Sequence, residues 1–326
     1  MHIFITGASG FVGGAAARLL RAKGHRVSAM SRSEKSDAAI RALGAEPVRC
    51  DLDSIAASQM QGIDVVVHAA AFVESWGPKD AWFRSNVLGT QAVLDAARRA
   101  GVKRFIHIGT EAAICRGQNI NGADERYPLA PDSPYPYCAT KAQAEIRVRS
   151  ANSAELATIV LRPRFIWGPG DKTLLPSVEA MTRAGRFAWI DGGEARTSTI
   201  HIVNLCHAIE LALTKGKGGE AYFILDDGDI SMKAMVSGMA ASIGLSLPEK
   251  SAPSWLLGRV AVVAESVWRL FNLKGEPPIT RQVVMVMKCD CVLDGRKARD
   301  ELGYIPLISR EAGLAAMKAA NTLRRE

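Results

Sequence analysis

Ile3-Phe4-Ile5-Thr6-Gly7-Ala8-Ser9-Gly10-Phe11-Val12-Gly13 opens the chain with an apolar strand, a glycine-rich turn and the start of a helix. Gly7, Gly10 and Gly13 stand at G-x-x-G-x-x-G spacing, which lets the backbone turn tightly and come close to a pyrophosphate. The helix that begins at Phe11 and Val12 then offers that anion free N–H groups and the positive end of its dipole. The spacing differs by one residue from the commonest dinucleotide fingerprint, and a chain with 29 glycines produces such triplets by chance. Context decides between a nucleotide cradle and an empty strand-to-helix turn. Val27-Ser28-Ala29-Met30 reads as a second strand where a βαβ unit places it. Val65-Val66-Val67-His68-Ala69-Ala70-Ala71 and Phe105-Ile106-His107-Ile108 read as two more. Alternating with Ala-rich helical stretches such as Thr90 to Ala100, they indicate a doubly wound, Rossmann-like parallel α/β sheet covered on both faces.

With 326 residues, 48% hydrophobic and 23% charged, the chain has the composition of a soluble globular protein with a sizeable core. It contains no uncharged apolar run of membrane-spanning length. No basic segment followed by an apolar stretch and a cleavage site starts it, so a cytoplasmic location is expected. Cys50, Cys115, Cys138, Cys206, Cys289 and Cys291 are scattered without a C-x-x-C pair, which fits reduced thiols. No His/Cys/carboxylate cluster has metal-ligand spacing, and no metal is expected. The net charge of +8 comes from dispersed basic residues without a nucleic-acid-binding motif. It fits a mildly basic enzyme that attracts an anionic cofactor, rather than a nucleic-acid partner.

Strand–helix alternation covers residues 1–165, the expected dinucleotide-binding domain. After Pro163 the texture changes: Gly168-Pro169-Gly170 breaks the chain, and Leu174 to Ala184, Trp255 to Leu273 and Arg296 to Leu302 look helical. Residues 166–326 are expected to form mostly a smaller substrate lobe, with some segments returning to the first domain. Trp255 to Leu273 is apolar with Arg259, Glu265 and Arg269 at helical spacing. Those charges exclude spanning. Packing on the protein body is the expectation; covering a lipophilic site and peripheral membrane contact are the alternatives.

Tyr137-Cys138-Ala139-Thr140-Lys141 sets a phenol and an ammonium at i and i+4, neighbours on one helix face. A nearby ammonium favours the phenolate, making Tyr137 a candidate acid/base for the proton of a carbinol or carbonyl. The pair follows the glycine turn and Thr110, which ends the fourth strand pattern.

In that order the chain resembles an extended short-chain dehydrogenase/reductase over nearly its full length. The resemblance rests on Gly7/Gly10/Gly13, His68-Ala69-Ala70-Ala71, Asn86 within Asn86-Val87-Leu88-Gly89-Thr90, Thr110, and Tyr137/Lys141. Leu161-Arg162-Pro163-Arg164-Phe165-Ile166-Trp167-Gly168-Pro169-Gly170 is similar to the family segment that passes the nicotinamide, and Asp294 to Tyr304 to its C-terminal segment. Within the family the chain looks closest to the 3β-hydroxysteroid and sterol dehydrogenase branch. Trp167 to Asp171 with Leu174-Leu175-Pro176, and Pro277-Pro278-Ile279-Thr280-Arg281, carry that finer likeness. The branch also includes reducers of bulky 3-oxo acyl substrates.

The resemblance implies that Tyr137 transfers the proton, that Lys141 lowers its pKa and binds the nicotinamide ribose, and that Thr110 donates to the substrate oxygen. Thr110 stands where the family usually has serine, and Glu111 beside it is either a substrate contact or solvated, with the solvated reading preferred. Gly7, Gly10, Phe11, Val12, Gly13, Ala69, Ala70, Ala71, Asn86, Pro163 and Phe165 are implied cofactor contacts, and Asp51-Leu52 would meet the adenine. Ser31 occupies the position where NAD-preferring members carry an acid, and Arg32 offers a planar fork to a 2′-phosphate. NADP(H) is therefore expected, with NAD(H) as second choice. Phe72, Val73, Trp76, Trp82, Phe165 and Trp167 lie where family substrates sit, which suggests a small hydrophobic hydroxy or keto substrate of steroid-like bulk. A nucleotide-sugar epimerase or dehydratase, gripping a diphosphate through Arg196 and Arg281, is the alternative. A non-catalytic redox sensor is disfavoured by the intact Thr110, Tyr137 and Lys141. A homodimer is the family habit.

Overall fold

The computed structural model describes residues 1–78, 80–171 and 174–323. Strands β1 (His2–Thr6), β2 (Arg26–Ser31), β3 (Glu46–Arg49), β4 (Val65–His68) and β5 (Arg104–Ile108) belong to one seven-stranded sheet. The strands Ala157–Pro163 and Glu220–Ile224 extend it beyond β5, so the order is Glu220–Ile224, Ala157–Pro163, β5, β4, β1, β2, β3. Every pairing is parallel. The order reverses at β1, and open α/β sheets bind ligands outside the strand ends at such a switch point.

Continuous apolar runs form these strands because both faces are covered. Ile3 and Ile5 point to a core shared with α1 (Phe11–Ala22) through Ala16, Ala17 and Leu20. Phe4 points the opposite way, to Val66, Phe105 and Val160. The helix Gly89–Arg99 (α3) adds Val93, Leu94 and Ala97 to that second core, and Pro136–Ser150 (α4) adds Val148. Burying these chains completely stabilises the sheet by about 1.5–3 kcal/mol per large residue. Helix α2 (Glu34–Ala42) follows β2, capped by the Ser33 hydroxyl accepting from Ser36 N at 3.2 Å.

Past Pro163 the chain builds the lobe above the strand ends from α5 (Leu174–Arg183), α7 (Met232–Ser242), α8 (Ser254–Leu270) and α9 (Arg281–Lys288). Between α5 and α7 it returns: α6 (Ile202–Ala212) packs on the α1 side of the sheet, and Glu220–Ile224 forms its edge. Arg296 to Leu302 holds one wide helical turn, Ala298–Leu302, ended by Gly303 at φ 65°. Helix α8 departs from the expectation of a packed helix. Only Ala261, Ala264 and Glu265 are buried, whereas Trp255, Val263 and Leu270 are 62%, 63% and 78% exposed. Its attachment is one narrow face, fixed by the Glu265 carboxylate accepting from Arg281 N at 2.7 Å and Arg281 Nε at 2.8 Å. No helix among the described residues is long and apolar enough to cross a membrane.

Candidate active site

A cleft of about 1220 Å³ runs across the C-terminal strand ends beneath the lobe. At one end the β1–α1 turn forms its floor. Gly7 has φ 75°, and its carbonyl accepts from Gly10 N at 2.9 Å. A Cβ on Gly7 would lie 2.9 Å from the backbone of Ala69 and Ala70, and one on Gly13 would lie 2.4 Å from Gly7 O. Neither side chain fits, so the turn, α1 and the end of β4 close into the bare-backbone cradle that a pyrophosphate requires. Phe11, Val12, Ala69, Ala70, Ala71, Asp51 and Leu52 line the same end. The Asp51 carboxylate accepts from the Ser54 hydroxyl at 2.7 Å and Ser54 N at 2.8 Å, which holds it below the usual carboxylate range and fixes the loop after β3.

Three expected cofactor contacts stand behind this surface rather than on it. Ser31 is 1% exposed and its hydroxyl donates to the Asp37 carboxylate, which also accepts from Arg49 Nη2 at 2.7 Å. The reading of Ser31 as a ribose-facing residue is thereby corrected: α2 folds back over β2 and claims its hydroxyl. Arg32 does line the cleft, exposed and without a hydrogen-bond partner among the described residues. Asn86, 1% exposed, accepts from Phe72 N at 2.7 Å and donates to Phe72 O at 3.1 Å and Thr140 Oγ1 at 3.2 Å, so it braces the loop after β4. Lys141, 2% exposed, donates to Ile108 O at 2.8 Å, and its Nζ lies 3.4 Å from His107 Nε2. Burial pulls its ammonium down to about 8, against the opposing Glu145 carboxylate.

At the other end Tyr137, in the first turn of α4 with Pro136 at the helix start, reaches the cleft beside Thr110. Burial, and next the Glu111 carboxylate, push the Tyr137 phenol well above its ordinary value. Lys141 is not among the groups that shift it. Glu111 also departs from expectation. It is neither solvated nor a loose surface acid but 5% exposed, paired to Arg164 Nη1 at 2.6 Å and accepting from Thr110 Oγ1 at 2.8 Å. Arg164 is itself 4% exposed and donates from Nε to Thr197 Oγ1 at 3.0 Å.

Phe72, Val73, Pro163 and Phe165 line the space around Tyr137. Phe165 holds φ 48°, a left-handed conformation unusual for an aromatic residue, and packs against the buried cluster of Val178, Phe187, Trp189 and Val236. Two other expected aromatic contacts are core. Trp82 is 1% exposed and donates to Glu74 O at 3.1 Å, and the fully buried Trp167 donates to Asp226 Oδ2 at 2.8 Å. Trp76 lies under Arg269, whose guanidinium carbon is 4.4 Å from the ring centroid. The far wall was not anticipated: Gln282, Met285 and Val286 of α9 close the cleft. The apolar spacing Val283-Val284-Met285-Val286 after the Thr280 cap was the available signal. Arg281, expected as a diphosphate grip, is tied to Glu265, and Arg196 is tied to Asp229.

A parallel sheet with a glycine cradle at its switch point, and a tyrosine facing it across one cleft, define a nucleotide-dependent oxidoreductase fold and site. The chain belongs to the NAD dependent epimerase/dehydratase family, whose pattern matches residues 3–224, and is an extended short-chain dehydrogenase/reductase near the sterol dehydrogenase branch. It is 37% identical to the 4-hydroxy-2-methyl-3-oxo-4-farnesyl-3,4-dihydroquinoline-1-oxide ketoreductase of Stigmatella aurantiaca, with 98% of this chain and 96% of that one covered. It is 36% identical to the 2-alkyl-3-oxoalkanoate reductase of Stenotrophomonas maltophilia strain K279a, covering 98% and 99%. To the decarboxylating sterol-4-alpha-carboxylate 3-dehydrogenase of Dictyostelium discoideum it is 27% identical, covering 96% and 98%.

Proposed function

We propose that the protein is an NADP-linked ketoreductase that interconverts a ketone and a secondary alcohol on a bulky hydrophobic substrate. The observation that carries this reading is the shared cleft: one end is bare backbone, and the other holds the Tyr137 phenol among Phe72, Val73, Phe165, Met285 and Val286. Arg196 and Arg281 are neutralised by Asp229 and Glu265, which argues against the nucleotide-sugar alternative. The relatives named as a farnesylated-quinoline ketoreductase and an alkyl-oxoalkanoate reductase support a keto group on a lipophilic skeleton.

The nicotinamide, when bound, supplies or takes the hydride. The chain's own residues do the rest. Gly7, Gly10 and Gly13 leave room for the pyrophosphate to reach the free N–H groups at the start of α1, and Arg32 meets a 2′-phosphate at the rim. In reduction the Tyr137 phenol gives its proton to the carbonyl oxygen as hydride reaches the carbon, leaving a carbinol and a phenolate. The buried Lys141 donates to Ile108 O, behind the cleft surface. The apolar wall excludes water from the reacting carbon.

A substrate panel read by nicotinamide absorbance tests the proposal: long-chain 3-oxo esters, 3-oxo and 3-hydroxy steroids, and UDP-sugars. Turnover of the lipophilic ketones with NADPH is expected. Conversion of UDP-sugars alone would overturn it.

A further inference from the structure

Helix α8 carries an apolar face that the described residues leave uncovered. Its buried positions, Ala261, Ala264 and Glu265, fall on one side of the helix. Leu256, Val260, Val263 and Leu270 descend the opposite side, and all four are exposed. Trp255 and Val262 widen that stripe. Phe271, 67% exposed, and Leu273 carry it past the helix end. Single apolar residues are ordinary on a protein surface, but a contiguous patch of this kind marks an interface.

The charges beside the patch have one sign. Within residues 254–275 the cations are Arg259, Arg269 and Lys274, and the only carboxylate is the buried Glu265, held by Arg281. Arg259 lies over the Trp255 ring, 5.4 Å from its centroid, and Arg269 lies over Trp76. Both side chains thus run along aromatic surface, with no carboxylate bound among the described residues. An apolar face bordered by Arg, Lys and Trp suits the boundary between lipid headgroups and acyl chains. The same stretch of a second copy would bring three more cations and no exposed carboxylate, so it complements the face poorly.

Position ties the patch to the cleft. Arg269 reaches Trp76, in the loop whose Phe72 and Val73 line the cleft. Glu265 holds Arg281, next to the lining residue Gln282 of α9. Helix α8 is thus joined to both rims, where Val73 and Val283 are themselves exposed.

We propose that the outer face of α8, with the segment 271–274, seats the protein on the surface of an anionic lipid bilayer, with the cleft opening beside the lipid. The helix lies along the surface, Val263 and Leu270 enter the acyl boundary, and Arg259, Arg269 and Lys274 meet the phosphates. Seating is independent of the reaction. Delivery of a membrane-dissolved ketone to the cleft rests on the ketoreductase reading above.

Co-sedimentation with phosphatidylcholine vesicles, with and without phosphatidylglycerol, tests the seating without turnover. Wild type should sediment with the anionic vesicles and several-fold less with the neutral ones. Val263→Gln with Leu270→Gln should weaken binding about tenfold or more, and Arg259→Gln with Lys274→Gln should abolish the preference for anionic lipid. These sites are exposed, so urea midpoints and NADPH affinity should match wild type. The Val263/Leu270 variant should reduce a long-chain 3-oxo ester held in the vesicles several-fold more slowly, and a short water-soluble ketone at the wild-type rate. Wild type left in the supernatant, or binding that survives the loss of Val263 and Leu270, overturns the proposal. So does a wild-type dimer in light scattering that the same two changes split while no vesicle is bound, since a second copy then covers the face. Equal rates of both ketones in wild type and variant would separate the cleft from the lipid and remove the delivery step. If no ketone is reduced at all, the ketoreductase reading fails, and sedimentation still decides the seating.

Discussion

Tyr137 is the residue whose removal tests the chemistry most directly. Tyr137→Phe keeps the ring and deletes the transferable proton. Turnover should fall roughly 10²- to 10⁴-fold while cofactor binding persists. A variant retaining more than about a tenth of wild-type kcat would place the acid elsewhere. In the proposed function the cofactor preference rests on Arg32, since Ser31 is committed to Asp37. Introducing an acid at position 31 would set two carboxylates together in a buried site and damage β2–α2 before it altered specificity. Arg32→Ala removes charge-assisted hydrogen bonds worth roughly 1.5–3 kcal/mol, so NADPH efficiency should drop about tenfold or more with NADH little changed. Equal losses with both cofactors in steady-state kinetics would mean that Arg32 does not meet the phosphate.

At the scale of elements, β4 and β5 carry two buried imidazoles into the sheet. His68 bonds Thr6 Oγ1 at 2.7 Å and Thr90 Oγ1 at 2.9 Å, tying β4 to β1 and α3. Burial first, and the Lys141 charge second, lower His68 to about 3 and hold His107 well below its ordinary range. Both therefore stay neutral in the folded protein, whereas the unfolded chain takes up their protons near pH 6.5. Below that pH the unfolded state binds more protons, so stability is lost as pH falls, on the order of 1 kcal/mol per unit for each imidazole. Urea midpoints should decline from pH 7 to pH 5, and His68→Asn should flatten that decline. An identical slope in the variant would remove His68 from the account.

The whole molecule assigns the two ends of the cleft to distant parts of the chain. The cradle is laid down by β1 and α1, but the wall opposite Tyr137 comes from α9, held to α8 by Glu265. Glu265→Ala removes both bonds to Arg281 and should loosen α9 at its N-terminus. The expected result is a several-fold higher KM for a bulky ketone with unchanged NADPH affinity. If both rise together, the two ends of the cleft are mechanically one, and α9 is no independent substrate wall.

The sequence by itself determined the sheet and its cradle, and it singled out Tyr137 as the candidate acid/base. Those depend on local requirements that residue types carry openly: Gly7 where φ is positive, Gly13 where no Cβ fits, unbroken apolar runs for strands buried on both faces, and Tyr137 one turn from Lys141. Only the tertiary structure decided what each polar group does with its protons and lone pairs. Ser31 turns from the cofactor because Asp37 folds back on it, and Lys141 points at Ile108 O. Thr110 donates to Glu111, and Glu111 is fixed by Arg164 from 53 residues away. A hydrogen bond's direction depends on which partner is nearest in space, and spacing along the chain does not encode that. The α9 wall was hidden for the same reason. Its apolar residues fit a core as well as a cleft, and the loops that carry α8 and α9 over the strand ends chose between them.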